Sequence, residues 1–325
     1  MSLDYKGLFE KLKKEGALGA LIFLFIFATF MYEPFFSFRN LTNVMRQVSM
    51  LGLVSIGMTL VILTGGIDLS VGSVFAVAGM LAAKFSYMGT TMAIVIPLII
   101  GLFMGGLNGL AITKLKIEPF VATLAMLMGG RGLAYIIGKE DTIRVDYSSA
   151  VNFVKLGRGE FLGIGLPVWI FIATVLIATF ILVKTRLGRT IYAIGSNEKG
   201  AEMMGLKVKN VKLVVYMASG FLAALAGIIL TSRLGAGQPV AGDAYEMKAI
   251  LSVVIGGTLI TGGVGKIRGS LVGVLILGLI ENIFNMQGNV DAWWRNVFLG
   301  LILLGVVVAH SEKFKEKFKI RILTK

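Results

Sequence analysis

The stretch TGGIDLSVGS, residues 64–73, places one carboxylate, Asp68, among glycines and between two long apolar runs. An ionisable group at membrane depth costs roughly 2.5 to 3.5 kcal/mol on insertion scales, so it is tolerated mainly where it faces protein, a cavity or water. Irregular backbone survives inside a bilayer under the same condition. The stretch therefore predicts a broken or re-entrant segment within a polytopic membrane protein that has a solvated interior route, as a transporter would.

The composition also favours a membrane protein over a soluble one. Of the 325 residues, 56% are apolar and 15% are charged, whereas soluble domains average about 45–50% and about 25%. Apolar stretches near the roughly 20 residues needed to cross a bilayer recur along the chain. We predict an all-α polytopic fold of about ten transmembrane helices. The predicted spans are residues 17–33, 47–64, 71–88, 91–113, 119–138, 164–183, 213–232, 246–261, 269–287 and 293–309.

Positive charges gather at the ends of the apolar runs. The net charge is +14, and lysine and arginine are far denser in the segments that an inside N-terminus would place in the cytoplasm. This asymmetry predicts an even number of spans with both termini cytoplasmic, and it indicates contact with membrane lipids rather than with nucleic acid. The domains would be a cytoplasmic segment, residues 1–16, a transmembrane domain, residues 17–309, and a basic cytoplasmic tail, residues 310–325.

The sequence gives no sign of catalytic or metal chemistry. The chain has no cysteine and a single histidine, so we predict neither a metal site nor a catalytic residue. Residues 262–266 imitate a phosphate-binding loop, but Ile267 stands where that loop requires serine or threonine. Any ATP hydrolysis would therefore belong to another polypeptide.

The basic loop, residues 184–212, contains a short helix in outline. Ser196 or Asn197 can cap its start, and Gly205 fits its end. Such a short helix is marginal in water by itself. Ala201 and Met204 lie three apart on one face, so the apolar side needs a partner. Two interpretations stay open: a coupling helix seated in a cytoplasmic motor subunit, or an amphipathic turn resting on the membrane surface.

Three blocks make the chain recognisable: residues 57–73, 192–228 and 245–276. Over nearly its whole length the chain resembles the permease subunit of ribose-type ABC importers for monosaccharides. The resemblance implies a ten-helix, type II importer-like permease in the inner membrane of a prokaryote. It implies three partners: a second permease copy or paralogue, cytoplasmic ABC ATPases that bind ATP and Mg²⁺, and an extracytoplasmic sugar-binding protein. No cofactor is expected in this chain.

The resemblance also assigns roles to residues. The expected ATPase-coupling residues are Gly195, Ser196, Asn197, Glu198, Gly200, Ala201, Met204 and Gly205. The structural signature consists of Gly65, Gly66, Asp68, Gly72 and Ser73. Within this signature, capping the next helix or holding a broken segment is favoured for Asp68 over substrate contact.

Polar residues inside the spans are candidates for the sugar pathway. They are Thr59, Asn108, Thr123, Asn282 and Asn285, each of which could instead form a hydrogen bond between helices. Glu281 departs from the uncharged residue expected in the family, and Arg131, Lys248 and Arg295 are its candidate partners.

Two rival functions remain open: an ABC permease for a nucleoside or sugar-like signalling molecule, and an ion-coupled secondary transporter in which Asp68 or Glu281 titrates.

Glycines mark two further patterns. Residues 64–66 and 72–73 recur as residues 261–263 and 269–270, which is a weak sign of an internal repeat. Two ladders, Gly101/Gly105/Gly109 and Gly265/Gly269/Gly273, put small residues on one helix face and predict close packing within the subunit.

Overall fold

A computed structural model describes residues 16–287 and, beyond them, residues 294, 297, 298, 300–302, 304 and 305. Residues 16–287 form a bundle of α-helices with two short antiparallel strand pairs, β1 with β4 and β2 with β3. In chain order the elements are α1 (Gly16–Met31), α2 (Phe38–Leu63), α3 (Val71–Lys84), a 3₁₀ turn (Phe85–Met88), α4 (Thr90–Thr113), α5 (Pro119–Gly138), β1 (Ile143–Arg144), α6 (Phe153–Arg158), β2 (Glu160–Phe161), β3 (Ile164–Gly165), α7 (Leu166–Lys184), α8 (Arg186–Ser196), α9 (Glu198–Met203), α10 (Val208–Leu234), β4 (Ala236–Gly237), α11 (Tyr245–Ile255) and α12 (Ile267–Gln287).

The all-α polytopic fold is confirmed. Within the described residues, seven helical stretches are long and apolar enough to cross a membrane: α2, α3 with its 3₁₀ turn, α4, α5, α7, α10 and α12. Helix α1 is apolar but shorter. The predicted last span, residues 293–309, lies mostly outside the described residues, as do the N-terminal segment up to residue 15 and the basic tail.

Several helix boundaries differ from those predicted. Helix α11 has 11 residues, about 16 Å at 1.5 Å per residue, where a full span over residues 246–261 was predicted. It ends there because Gly256 and Gly257 turn the chain, with Gly257 at φ +85°. Helix α2 begins at Phe38 rather than at residue 47. Helix α10 begins at Val208, inside the predicted basic loop, rather than at residue 213.

The centre of the bundle is formed by α2, α3 and α10. In the most apolar 18-residue stretch of α2, 89% of the residues are buried. In the corresponding stretches of α4, α5 and α7, only 22–28% of the residues are buried. Helix α10 packs against α2, α3 and α4. Consequently α4, α5 and α7 lie at the periphery and turn apolar side chains outward, as lipid-facing helices do.

Both glycine ladders pack within the subunit, as predicted, but Gly265 lies in the loop before α12 rather than on the predicted helix face. A Cβ on Gly105 would overlap the backbone of Tyr216 in α10, and one on Gly273 would overlap the carbonyl of Ser252 in α11. Without a side chain, the two backbones can approach closely, which strengthens van der Waals contact where lipid gives no hydrophobic force between helices.

Two glycine-containing breaks, which join α2 to α3 and α11 to α12, contact each other. The first break, residues 64–70, joins α2 to α3, and the second, residues 256–266, joins α11 to α12. A Cβ on Gly262 would lie 2.7 Å from the backbone nitrogen of Gly65. Ser55 and Ser252, in the helices that precede the two breaks, share a 2.8 Å hydrogen bond. The glycine motifs that echo each other in the sequence are therefore in contact.

The close packing at Gly273 gives a test of the fold. Gly273→Ala should destabilise the protein by about 1–3 kcal/mol, because the added methyl group overpacks the contact with Ser252. The measurement is unfolding in mixed micelles with increasing denaturing detergent. Gly132→Ala is the matched control, since no atom lies within 4 Å of a Cβ at that helical position. Equal stability of the two variants would contradict this packing.

Candidate coupling site and buried polar network

The short helix predicted in the basic loop is α9, and Asn197 caps it. The Asn197 backbone is extended, and its side-chain oxygen accepts a 2.9 Å hydrogen bond from the Gly200 N–H. Gly205, at φ +77°, ends the turn that follows. Ser196, the other candidate cap, instead donates to the carbonyl of Tyr192 within α8.

Helix α9 is held on its inner side by one apolar and one charged contact. Ala201 is fully buried and packs in a small cluster with Ile194 and Val208. Glu198 forms a 2.7 Å ion pair with Lys212 of α10. Partly exposed pairs of this kind contribute about 0–1 kcal/mol each, so the apolar contact is the main anchor.

Two methionines lie on the outer side of α9, Met203 at its end and Met204 directly after it. Met203 is 89% exposed and Met204 is 71% exposed. The predicted single face of Ala201 and Met204 does not form, because Ala201 points into the protein while Met204 points away. The exposed methionines are flexible apolar side chains suited to an adaptable protein interface.

A polar groove runs beside α9. Its volume is about 280 Å³, and it lies between α9, the start of α10 and the connection from α4 to α5. Lys116, Glu118, Glu202 and Lys209 are among its lining residues. Because Glu118 directly precedes α5, this groove brings the chain entering α5 close to α9.

Asp68 lies at the centre of a buried hydrogen-bond network. Its side chain is fully buried. One carboxylate oxygen accepts from the backbone and hydroxyl of Ser70, at 3.0 and 2.6 Å, and the other accepts from the Ser219 hydroxyl of α10 at 2.7 Å. Asn108 of α4 donates to the Ser70 hydroxyl at 2.8 Å. The network ties the first break to two neighbouring helices.

This geometry distinguishes between the roles considered for Asp68. Ser70 precedes α3 and makes no side-chain capping bond, while Asp68 bonds to Ser70 rather than to an N–H of the helix. Ser73 donates to the Ser70 carbonyl. Asp68 therefore holds the broken segment in shape and does not cap α3.

The signature glycines allow close contacts around this break. Gly65 has φ +77°. A Cβ on Gly66 would overlap the Tyr216 hydroxyl, and one on Gly72 would overlap the Glu246 carboxylate. The backbone conformation at Gly65 therefore favours glycine, and Gly66 and Gly72 leave the space that the two neighbouring side chains occupy.

Three of the pathway candidates are buried between helices. Thr59 donates to Ser270 of α12 at 2.8 Å, and Asn108 belongs to the Asp68 network. Thr123 bonds within its own helix at 2.8 Å and to the Ile67 carbonyl of the first break at 3.3 Å. The Thr59 bond connects two helices of one subunit, whereas the bonds of Asn108 and Thr123 connect α4 and α5 to the first break.

The other two pathway candidates lie near the end of α12. Asn282 exchanges hydrogen bonds with Asn40 of α2, at 2.9 and 3.2 Å, whereas Asn285 is exposed. No hydrogen bond joins one of the five candidates to another within the described residues, so the structure does not bring them together as one site.

Glu281 pairs with Lys248, one of its three candidate partners, at 2.7 Å. Arg131 instead donates to the carbonyls of Pro239 and Ala241, and Arg295 lies outside the described residues. The ion pair borders a cavity of about 180 Å³ that Arg233 also lines. Sequence reasoning did not identify Ser219, whose pairing with Asp68 spans 151 residues and leaves no local signal.

Comparison with known proteins identifies the family. A family model described as the permease component of a branched-chain amino acid transport system matches residues 40–307. The chain belongs to this permease family.

Curated relatives match the permease along nearly its full length. It is 42% identical to the ribose import permease protein of Bacillus subtilis over 313 residues, 96% of each chain. It is 40% identical to the ribose import permease protein of Haemophilus influenzae, over 90% of this chain and 91% of that one. It is 37% identical to the L-arabinose transport system permease protein of Escherichia coli, over 94% and 92%. No solved structure gives a significant match. The permease is thus a multi-pass inner-membrane protein.

The Asp68 network yields a stability test of the permease. Ser219→Ala removes a donor from a buried carboxylate, and the loss should be about 1–3 kcal/mol in unfolding free energy. Ser49→Ala is the control, because Ser49 is equally buried but bonds only to Met45 of its own helix. Mixed-micelle unfolding measures both variants. A loss no larger for Ser219→Ala than for Ser49→Ala would contradict the network.

Proposed function

We propose that this chain is the translocation subunit of an ATP-driven importer for a small sugar, ribose or a similar monosaccharide. The observation that carries the proposal is the 42% identity, over 96% of both chains, to a ribose import permease protein. A second relative, 37% identical, is named for L-arabinose transport. Both names refer to aldopentoses, which favours a cargo of that size over a nucleoside.

The geometry of α9 supports coupling to a cytoplasmic ATPase. A short helix held on its inner side and exposing Met203 and Met204 on its outer side offers an apolar surface to a partner. The alternative, a turn resting on lipid, is less favoured because charged residues flank the methionines: Lys199 and Glu202 are exposed beside them. The full coupling set is Gly195, Ser196, Asn197, Glu198, Gly200, Ala201, Met204 and Gly205, in which Ala201 acts by anchoring the helix rather than by contact.

The proposed assembly adds three partners to this chain. A second permease, identical or paralogous, completes the membrane part, and an extracytoplasmic binding protein delivers the sugar. Cytoplasmic ATPases bind ATP and Mg²⁺ and close on α9, which switches the pathway between outward and inward access. Both termini of the permease face the cytoplasm, as the distribution of lysine and arginine favours. The permease itself performs no covalent chemistry on the sugar.

Transport in reconstituted vesicles tests the function. The complex of permease, ATPase and binding protein should accumulate labelled ribose when ATP is supplied on the ATPase side, with no ion gradient present. Uptake that follows an imposed proton or sodium gradient and does not need ATP would contradict the proposal and favour an ion-coupled transporter. Competition by arabinose and by a nucleoside for the binding protein would define the cargo.

Gly200 provides a test of the coupling helix. Proline at this position lacks the N–H that bonds to Asn197, and it disfavours the helical backbone conformation of Lys199 before it. Gly200→Pro should therefore lower ATP-linked uptake more than about tenfold. Gly200→Ala is the matched control, because it keeps the N–H and should retain most uptake. Insertion of both variants is checked by the amount of each protein recovered in the membrane fraction. Normal uptake by Gly200→Pro would refute the assignment.

A further inference from the structure

The end of α8, just before the coupling helix, is wedged against both helix breaks. Gly195 lies so close to the Leu63 carbonyl and the Gly263 nitrogen that a Cβ would overlap both. The Gly263 N–H itself donates to the Leu63 carbonyl at 3.1 Å. Three backbone segments therefore meet at one point: the end of α8, the end of α2 where the first break begins, and the second break. We term this point the glycine junction.

A side-chain hydrogen bond strengthens the glycine junction. Tyr192, one turn before Gly195 in α8, donates to the Gly265 carbonyl of the second break at 2.8 Å. Burial raises the pKa of the Tyr192 phenol, so the hydroxyl keeps its proton and remains a donor at physiological pH. Tyr192 is thus the side chain that fastens α8 to the second break.

The contacts at the glycine junction leave little room for movement. Apart from the Tyr192 hydrogen bond, these contacts join backbone to backbone, without long side chains that could change rotamer and absorb a displacement. Close-packed protein interiors also have low compressibility. On the far side, Gly65, Gly262 and Gly263 all have positive φ, where glycine adopts conformations that strain other residues. A displacement of α8 would therefore act first on stiff contacts and then on turns that can change conformation.

We infer that the glycine junction transmits motion of the coupling helix to both breaks at once, with Tyr192 as a positioning residue. The inference rests on the proposed function, because it needs an ATPase that moves α9. Helices α3 and α12 begin directly after the two breaks, so they would be displaced together when α8 moves. One cytoplasmic contact would thereby act on two separate parts of the bundle.

The contacts of α9 are consistent with this route. Ala201 packs in one cluster with Ile194 of α8, so α9 and the end of α8 would move as one piece. Asn197 stands between the two helices with its cap bond to Gly200. A force applied at Met203 and Met204 would reach Gly195 over a short, continuous path.

The test is the ratio of sugar taken up to ATP hydrolysed, measured in the same reconstituted vesicles. Tyr192→Phe removes one hydroxyl and one hydrogen bond, a change that corresponds to about a two- to tenfold shift in a coupled equilibrium. We expect the ratio to fall by about that factor while assembly and basal ATP hydrolysis stay at the wild-type level. Tyr87→Phe, at an exposed tyrosine, is the matched control and should leave the ratio unchanged.

A second variant acts on the backbone contact itself. Gly195→Ala should lower the ratio further than Tyr192→Phe, because the new methyl group forces α8 away from both breaks. Gly106→Ala is its control, since a Cβ there would make only an ordinary 3.6 Å contact with Met217. If Gly195→Ala fails to assemble, Tyr192→Phe alone decides.

The outcomes separate the inference from the proposed function. A wild-type complex without ATP-driven uptake would contradict the proposed function and, with it, the inference. An active wild type with an unchanged ratio in Tyr192→Phe would contradict the inference alone. A parallel loss of uptake and ATP hydrolysis in Tyr192→Phe would also contradict it, because that result indicates a merely structural role.

Discussion

Close backbone contact at glycine positions is the constraint on which this bundle depends. In lipid, helices gain nothing from hiding apolar surface from each other, so packing contact and hydrogen bonds must hold them together. Gly105 and Gly273 let α4 and α12 approach the backbones of α10 and α11. The same device, used at Gly195 and Gly263, joins α8 to the two breaks. Stability and the proposed transmission of motion therefore have a common physical basis.

The Asp68 network solves the problem that such breaks create. A break frees backbone polar groups and needs an acceptor that can organise them, and a buried polar group without partners is unfavourable. The Asp68 carboxylate accepts three hydrogen bonds, and Asn108 extends the network to α4. The contacts of Asp68 thus give a structural reason for a carboxylate inside the bundle, the role that the sequence favoured over substrate contact.

The sequence correctly predicted those features that depend on local sequence pattern. Apolar run lengths gave the all-α polytopic fold, and Asn197 with Gly205 bounded the coupling helix because caps and stops are local features. Length and hydropathy failed at α11, where a continuous apolar run hides a turn at Gly256 and Gly257.

Contacts between residues far apart in the chain could not be predicted from the sequence, for a different reason. Glu281 had three candidate partners, and only the crossing of α11 and α12 selects Lys248. Ser219 gave no signal, because a buried serine in a helix normally bonds to its own backbone. The inward turn of Ala201 was missed because the face predicted for α9 ignored the neighbouring helices.

The two exposed methionines of α9 have a chemical consequence. Oxidation converts a methionine thioether into a polar, chiral sulfoxide, which enzymes can reduce again. Met203 and Met204 are open to solvent whenever no partner covers them, and oxidation would replace an adaptable apolar surface by a polar one. A permease without any cysteine therefore still carries a reversible redox-sensitive surface, and it lies where the importer would meet its motor.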